Sequence, residues 1–467
     1  MIKIGLEIHC QLTNLKSKLF CSCKANYREF EINENICPIC MGLPGSLPRL
    51  NQEAVKKATM IAMALNCTTP DKIAFFRKNY FYPDLPKNFQ ITQLNIYGET
   101  SIGGTGSIIV GDKKIRITRI QLEEDPGRLI YEGSSSKNLI TLVDYNRAGT
   151  PLVEIVTEPD FENPKQVRDF VNILSDLLEN LQVSDPGLDG AMRADANVSI
   201  ERGNKVEIKN IGSFHDLEKA VHFEITRQES LHSRDIQIIQ ETRHWDDKRK
   251  ITVSSRSKEE DLDYRYFLEG DIPWVIIDPK TKENLKSNMP ESISSKKERY
   301  VSKYNIPIQV ATVLSSDKFY SDLFEESHTE ITAKEIANII TTDLMGLVDT
   351  REKREESKIT PTHLKDLADS IQSGKISRNS AKNALYEFVK TGKNLSQVMS
   401  ELDLGNVSDE SELLGIIKAV ISEESKAAEE AKSNPQTINF LVGKVMQKTK
   451  GKADPKLTLD LFKKEIE

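Results

Sequence analysis

Four of the six cysteines in this chain fall in one short stretch, as Cys21-x-Cys23 and Cys37-x-x-Cys40. Two close thiol pairs joined by a loop supply the four soft ligands of a tetrahedral Zn(II) site. Pro38 stiffens the second knuckle, and Gly42 lets backbone amides fold back toward the sulfurs. With all four positions filled by protein, the expected role is structural, a zinc ribbon. Four reduced thiols without metal are the competing reading. Disulfides fit less well, because the opening MIKIGLEIHC is a strand pattern and not a signal peptide.

Open chemistry must be sought among the carboxylates. Glu7 and His9 are two residues apart in an apolar strand pattern, so they share a face. RITRIQLEEDPGR carries Glu123, Glu124 and Asp125 in a row, and three consecutive carboxylates repel unless cations lie between them. Alternation from Ile120 and Leu122 puts Glu124 on their face and Glu123 on the other. Glu154 sits among Leu152, Val153, Ile155 and Val156, where a buried charge needs a partner. Oxygen ligands such as Glu124 and Glu154 suit Mg(II), for which His9 would be a less usual ligand. Three polar clusters could serve a nucleotide or an acyl substrate. RKNYFYPDLPK offers Lys78 and Lys87, MRADANVSI offers Arg193, Asp195 and Asn197 at strand spacing, and DYRYF offers Tyr264 and Arg265. There is no GxxxxGK[ST] P-loop. GGTG at 103–106 reads as a hairpin turn.

The elements that must position these groups are mixed. IKIGLEIHC, RITRIQLEE, LITLVDY, PLVEIV and NVSIE read as strands. QEAVKKATMIAMALN and PKQVRDFVNILSDLLENLQ read as amphipathic helices. Without strict βαβ alternation the fold class is α+β, on a largely antiparallel sheet. After Pro290 strand signals fade and charged helices take over. A catalytic region over 1–290, a helical region over 291–405 and a small helical tail over 406–467 are expected.

The bulk numbers exclude little but point consistently. With 467 residues, 38% hydrophobic and 29% charged, the chain reads as a multidomain globular protein of the cytoplasm with no membrane segment. The net charge of −7 exerts no global pull on nucleic acid. The last 25 residues, however, carry seven lysines, among them Lys444, Lys448, Lys450 and Lys452, against four acids.

Taken in order, GLEIHCQL, KLFCSC with CPICMGLPGSLP, RKNYFYPDLPK, LEEDPG, LVDYNRAGTPLVEIVTEPD, MRADANVSI, EIKNIGSF, ETRHWD and DYRYF closely resemble the B subunits of the aspartyl/glutamyl-tRNA amidotransferases. LVGKVMQKTKGKADPKL is similar to the tail module shared with the YqeY family. The resemblance covers nearly the whole chain. It implies an N-terminal cradle similar in fold to glutamine synthetase, followed by an all-α module that touches the body of the tRNA. It implies ATP- and Mg(II)-dependent phosphorylation of the side-chain carboxylate on tRNA mischarged with Glu or Asp. Ammonia from an amidase partner acting as glutaminase then displaces the phosphate, and a small third subunit makes the assembly a heterotrimer. It places magnesium at Glu7, His9, Glu124 and Glu154, and phosphate or nucleotide contacts at Lys78, Arg193, Asp195 and Asn197. Two small departures, DPG for DAG and MRAD for MRCD, remove no ligating side chain. The related archaeal GatE proteins, which work on Glu-tRNA, carry a large inserted domain for which this chain has no room. A non-catalytic zinc-ribbon RNA-binding protein is the alternative from another class, and it would not need carboxylates embedded in apolar strands.

Overall fold

A computed structural model describes residues 2–132, 140–201, 203–256, 264–402, 410–431, 435–449, 453 and 455–466. They divide into two compact units, Met1–Glu291 and Ser292–Glu467. The first is α+β and the second helical. Among the described residues no helix is long and apolar enough to cross a membrane.

The first unit is built on an eight-stranded sheet. Its strands in chain order are β1 (Lys3–Gln11), β2 (Gly106–Val110), β3 (Lys113–Glu124), β4 (Pro151–Thr157), β5 (Met192–Ser199), β6 (Val206–Lys209), β7 (Glu241–Asp246) and β8 (Ile251–Arg256). The spatial order is β8-β7-β6-β5-β1-β4-β3-β2. Every pair is antiparallel except β6 with β7. A parallel pair needs a crossover, and the helix Phe214–His232 provides it.

The period-2 pattern gives the sheet two unlike faces. Ile4, Leu6 and Ile8 of β1, Ile120 and Leu122 of β3, Val153 and Ile155 of β4, and Ala196 and Val198 of β5 are all buried in one core. The same core takes Phe170, Leu174 and Leu178 of the helix Pro164–Asn180, and Leu217 and Val221 of Phe214–His232. Both helices start on a side-chain cap. Asn163 accepts from the amide of Gln166, with Pro164 in the first turn, and Ser213 accepts from that of Asp216. The intervening residues of the strands face away from these helices, and that face carries the polar groups.

GGTG is not a hairpin turn. The β2–β3 hairpin closes at Gly111, whose φ is +62°. Gly103 instead bridges Ile120 of β3, and side chains at 104 and 106 would collide with Thr68 and Cys67. These glycines allow close backbone approach.

A three-stranded sheet, Phe267–Leu268, Phe76–Asn79 and Phe89–Thr92 in that order, meets the end of β3. There Thr92 donates to Glu123 (2.8 Å) and Gln90 to the Glu124 carbonyl (2.8 Å). In the second unit two separate apolar cores form, one running from Tyr300 to Val398 and one from Leu413 to Phe462.

Phe170 is fully buried, edge-on to Phe161 at 5.2 Å between centroids. Phe170→Ala should cost the first unit about 3–5 kcal/mol. Urea unfolding would show this as a lower midpoint at unchanged slope. A loss below about 1 kcal/mol would mean that the helix is not a keystone of this face.

Candidate active site and cysteine centre

Antiparallel register brings the polar residues of four strands side by side. His9 lies opposite Glu154 on one side and Arg193 on the other, and Glu7 lies opposite Asp195. Gln121 lies opposite Glu154, so Glu123, two residues on, points to the same face. The His9 Nε2 atom is 3.7 Å from Glu7 Oε1, 3.8 Å from Glu123 Oε1 and 3.9 Å from Glu154 Oε2. These separations are too long for hydrogen bonds. One donor atom each from Glu7, His9 and Glu154 lies within 4.8 Å of the others, a grouping that could hold a metal ion.

The electrostatics call for a cation. Burial, with the neighbouring Glu7 and Glu123 charges, pushes the Glu154 carboxyl up to about 7. Burial also opposes the charge of Glu7, but His9, Lys209, Lys78 and Arg119 outweigh it and hold that carboxyl below its ordinary value. Two like charges 4 Å apart repel by about 4 kcal/mol at an effective dielectric of 20, so an entering divalent cation is strongly favoured. The donor set, the carboxylates of Glu7 and Glu154 with the His9 imidazole, therefore fits magnesium, and the Glu123 carboxylate stands beside it.

Glu124 does not join this group, contrary to the expectation from the resemblance. It is one residue out of phase and points to the other face. There Lys87 Nζ bonds both its oxygens (2.5 and 2.7 Å) and the Ile91 amide donates to Oε1 (2.8 Å). Glu123 takes its place beside His9. The alternation already separated the two glutamates, and the fact that Ile120 and Leu122 face the helices was the signal that Glu123 faces the site.

Cations surround the cluster. Arg119 of β3 reaches Glu154 (3.3 Å), and Lys209 of β6 pairs with Asp195 (3.0 Å). Neither Arg119 nor Lys209 was singled out from sequence. Lys78 comes from the three-stranded sheet. Its ammonium lies 4.7 Å from the Tyr264 ring centre and 5.9 Å from that of Tyr80. Burial opposes its charge, but Tyr266, Glu123 and Glu154 outweigh that and raise its pKa. Arg193 bonds Asp125 (2.8 Å), a fully buried carboxylate that also receives Gln11 (2.5 Å). Burial raises the Asp195 carboxyl despite Lys209. Asn197 Oδ1 is buried with no hydrogen-bond partner among the described residues.

The cysteine centre lies in the same unit. One sulfur each from Cys21, Cys23, Cys37 and Cys40 falls within 4.8 Å of the others. The amide of Cys37 donates to Cys40 Sγ (3.1 Å). Lys18, fully buried, bonds the Asn35 carbonyl (2.9 Å) and approaches Cys40 Sγ (3.8 Å). The Cys21 thiol bonds Cys40, and with Lys18 nearby this holds the Cys40 thiol down to about 5. Four convergent sulfurs with a buried cation beside them fit Zn(II).

In the helical unit, two of the C-terminal lysines are already paired. Lys444 meets Glu424 (2.8 Å) and Lys448 meets Glu423 (2.5 Å). Lys450 and Lys452 lie outside the described residues.

The sequence matches the GatB/GatE catalytic domain over residues 2–283. This chain belongs to the GatB/GatE family. Residues 322–466 match a second family pattern, described as the GatB domain. Curated relatives extend the similarity over the full length. A protein of Saccharolobus solfataricus, named as the B subunit of the aspartyl/glutamyl-tRNA(Asn/Gln) amidotransferase, is 44% identical, covering 100% of this chain and 99% of its own. Relatives of the same name from Sulfurisphaera tokodaii and Thermotoga maritima are 46% and 41% identical, each covering 99% of this chain and 99% and 98% of their own. For a member of this family, the acidic cluster on the polar sheet face is the candidate active site.

Cys40→Ser should leave less than about one tenth of the wild-type zinc per chain, because loss of one ligand opens a structural site, and should lower the first unit's melting temperature. Elemental analysis and thermal unfolding measure both. A wild-type chain without zinc, all four thiols titrating freely, would remove the metal from this site.

Proposed function

We infer that this chain is the amide-forming subunit of a tRNA-dependent amidotransferase. In this reading it receives tRNA mischarged with glutamate or aspartate, transfers the γ-phosphoryl group of ATP to the side-chain carboxylate, and exchanges the phosphate for ammonia. The observation that carries it is the cluster of Glu7, His9, Glu123 and Glu154, ringed by Lys78, Arg119 and Lys209, in a chain that aligns end to end with relatives of that name.

A carboxylate is a poor acyl donor until one of its oxygens becomes a leaving group, and phosphorylation provides that. The attack of one anion on another is limited by repulsion, so positioned positive charge is what the site must contribute. Magnesium held by Glu7, His9, Glu123 and Glu154 would neutralise phosphate charge and align the reacting oxygens. Lys78, Arg119 and Lys209 add fixed cationic charge. Arg193 keeps Asp125 charged in the fold and contributes charge at the rim. The acids on one face of an antiparallel sheet are in keeping with a glutamine-synthetase-like domain. The ammonia would come from a partner amidase that hydrolyses glutamine, with a small third subunit making up a heterotrimer in the cytoplasm. A non-catalytic RNA-binding role leaves the buried carboxylates without a use.

The reconstituted complex should form amide on mischarged tRNA with ATP and either glutamine or ammonium. ATP-dependent phosphate release that does not respond to mischarged tRNA would sink the reading. Glu123→Gln and Glu154→Gln should each lower ammonia-dependent amidation by at least about 100-fold, each factor of ten being about 1.4 kcal/mol of transition-state stabilisation. Both should also raise the magnesium requirement, and by more than Glu124→Gln, whose carboxylate is bonded to Lys87 and not turned to the site. A raised requirement in Glu124→Gln alone would return the ligand role to Glu124.

Deleting the chain after residue 434 should raise the apparent KM for tRNA by about tenfold, because lost phosphate contacts weaken binding without touching the chemistry. Binding titrations over a range of salt check this. Unchanged affinity would assign the tail to assembly alone.

A further inference from the structure

A cavity of about 190 Å³ separates the cysteine centre from the three-stranded sheet. Cys21, Cys40 and Gly42 line one side, and Lys87, Phe89, Ile91 and Glu124 line the other. Two ion pairs stand in its wall, the first buried and the second partly so. One is Lys87–Glu124; the other is Arg77–Glu269, bonded through two nitrogens at 2.6 and 2.8 Å. Glu124 faces away from the acidic cluster, so the Lys87–Glu124 pair has no part in the site described above.

The contact that places Lys87 comes from the cysteine loop. Gly42 closes the second knuckle at φ +64°. A methyl group built on Gly42 would overlap Lys87 Cγ, and would lie 3.2 Å from its Cβ and 3.4 Å from its Cα. These are the root of the side chain and its backbone, not a free end that can swing aside. The far end is fixed as well, because Lys87 Nζ bonds both oxygens of Glu124. The stem of Lys87 therefore runs between the bare backbone of the knuckle and Glu124, and a shift of either displaces the pair.

A second strut ties the same parts together. Gly149, at φ +85°, takes the amide of Leu19 from the cysteine segment on its carbonyl (2.9 Å), and donates its own amide to the Asp125 carbonyl (2.9 Å). A side chain there would lie 3.6 Å from both Cys40 Cβ and Lys18 Cδ, and 3.9 Å from Glu124 Oε2. The knuckle and the Glu123–Asp125 segment thus touch through two glycines. Glu124 is the neighbour of Glu123, whose carboxylate reaches His9.

We propose that the metal knuckle is a positioning element of the amidation site, with Gly42 packing against Lys87 to hold the Lys87–Glu124 pair and, through it, the end of β3 that carries Glu123. The zinc centre then does more than stabilise the fold: the shape of its loop sets the reactive geometry. The inference rests on the function proposed above.

The test is a double-mutant cycle in the reconstituted complex, read as ammonia-dependent amidation, with zinc content and thermal unfolding measured alongside. Gly42→Ala should lower kcat by about tenfold at little change in the KM for mischarged tRNA, while the chain keeps its zinc. In a Lys87→Ala background the same substitution should change kcat by less than about twofold, because the overlap with Cγ is gone and the ion pair it would displace no longer exists, while the approach to Cβ is common to both backgrounds. Backbone strain from a side chain at positive φ would persist in both backgrounds, and is read from the melting temperature. Equal kcat losses in the two backgrounds, or loss of zinc in Gly42→Ala, would overturn the proposal and leave the knuckle a scaffold. A wild-type complex without amidation would instead overturn the functional reading beneath it.

Discussion

Charge repulsion on one face of a sheet is the constraint on which the rest of the first unit depends. Glu7, Glu123 and Glu154 converge on His9, Glu123 and Glu154 buried and Glu7 and His9 partly so. Such an arrangement is unfavourable by itself, as the raised Glu154 carboxyl records. It persists because the opposite face of the same strands buries Ile, Leu, Val and Ala against two helices. The apolar face supplies the stability that lets the polar face be strained, and relief of that strain is what would favour a cation there.

The polar face is completed by chain that is distant in sequence. Thr92 bonds Glu123, and Lys78 enters from a neighbouring strand of the same small sheet. Lys209 reaches Asp195 from β6, and Arg119 reaches Glu154 from β3. Positive charge is thus held by rigid strands and not by loose loops, which lowers the reorganisation needed when charge develops. The cysteine centre follows a similar economy. Lys18 is buried beside Cys40, and the loop closing over the sulfurs is glycine where it meets Lys87.

Much of this was legible in the residues. Alternation in IKIGLEIHC fixed the common face of Glu7 and His9, and the strand around Glu154 marked it as a buried charge in need of a partner. The paired cysteines announced a four-sulfur centre. The resemblance carried the family, which the full-length relatives bear out. The GGTG stretch misled because a run of glycines serves tight turns and close packing alike, and local sequence does not tell them apart. A count of charge along the C-terminal tail cannot see that Lys444 and Lys448 are met by Glu424 and Glu423.

By itself the sequence determined the periodicities: which residues alternate, which helices are amphipathic, where four thiols cluster, and that strands give way to helices after Pro290. Only the tertiary structure decided which groups meet. The order β5-β1-β4-β3 sets residues 195, 7, 154 and 123 beside one another, although they are far apart along the chain. It also decided that Glu123 faces His9 while Glu124, one residue on, is bound to Lys87. The physical reason is that alternation is a local property of one strand. Which of its faces becomes a core and which a site is set by what packs against it, and strand order and register are long-range.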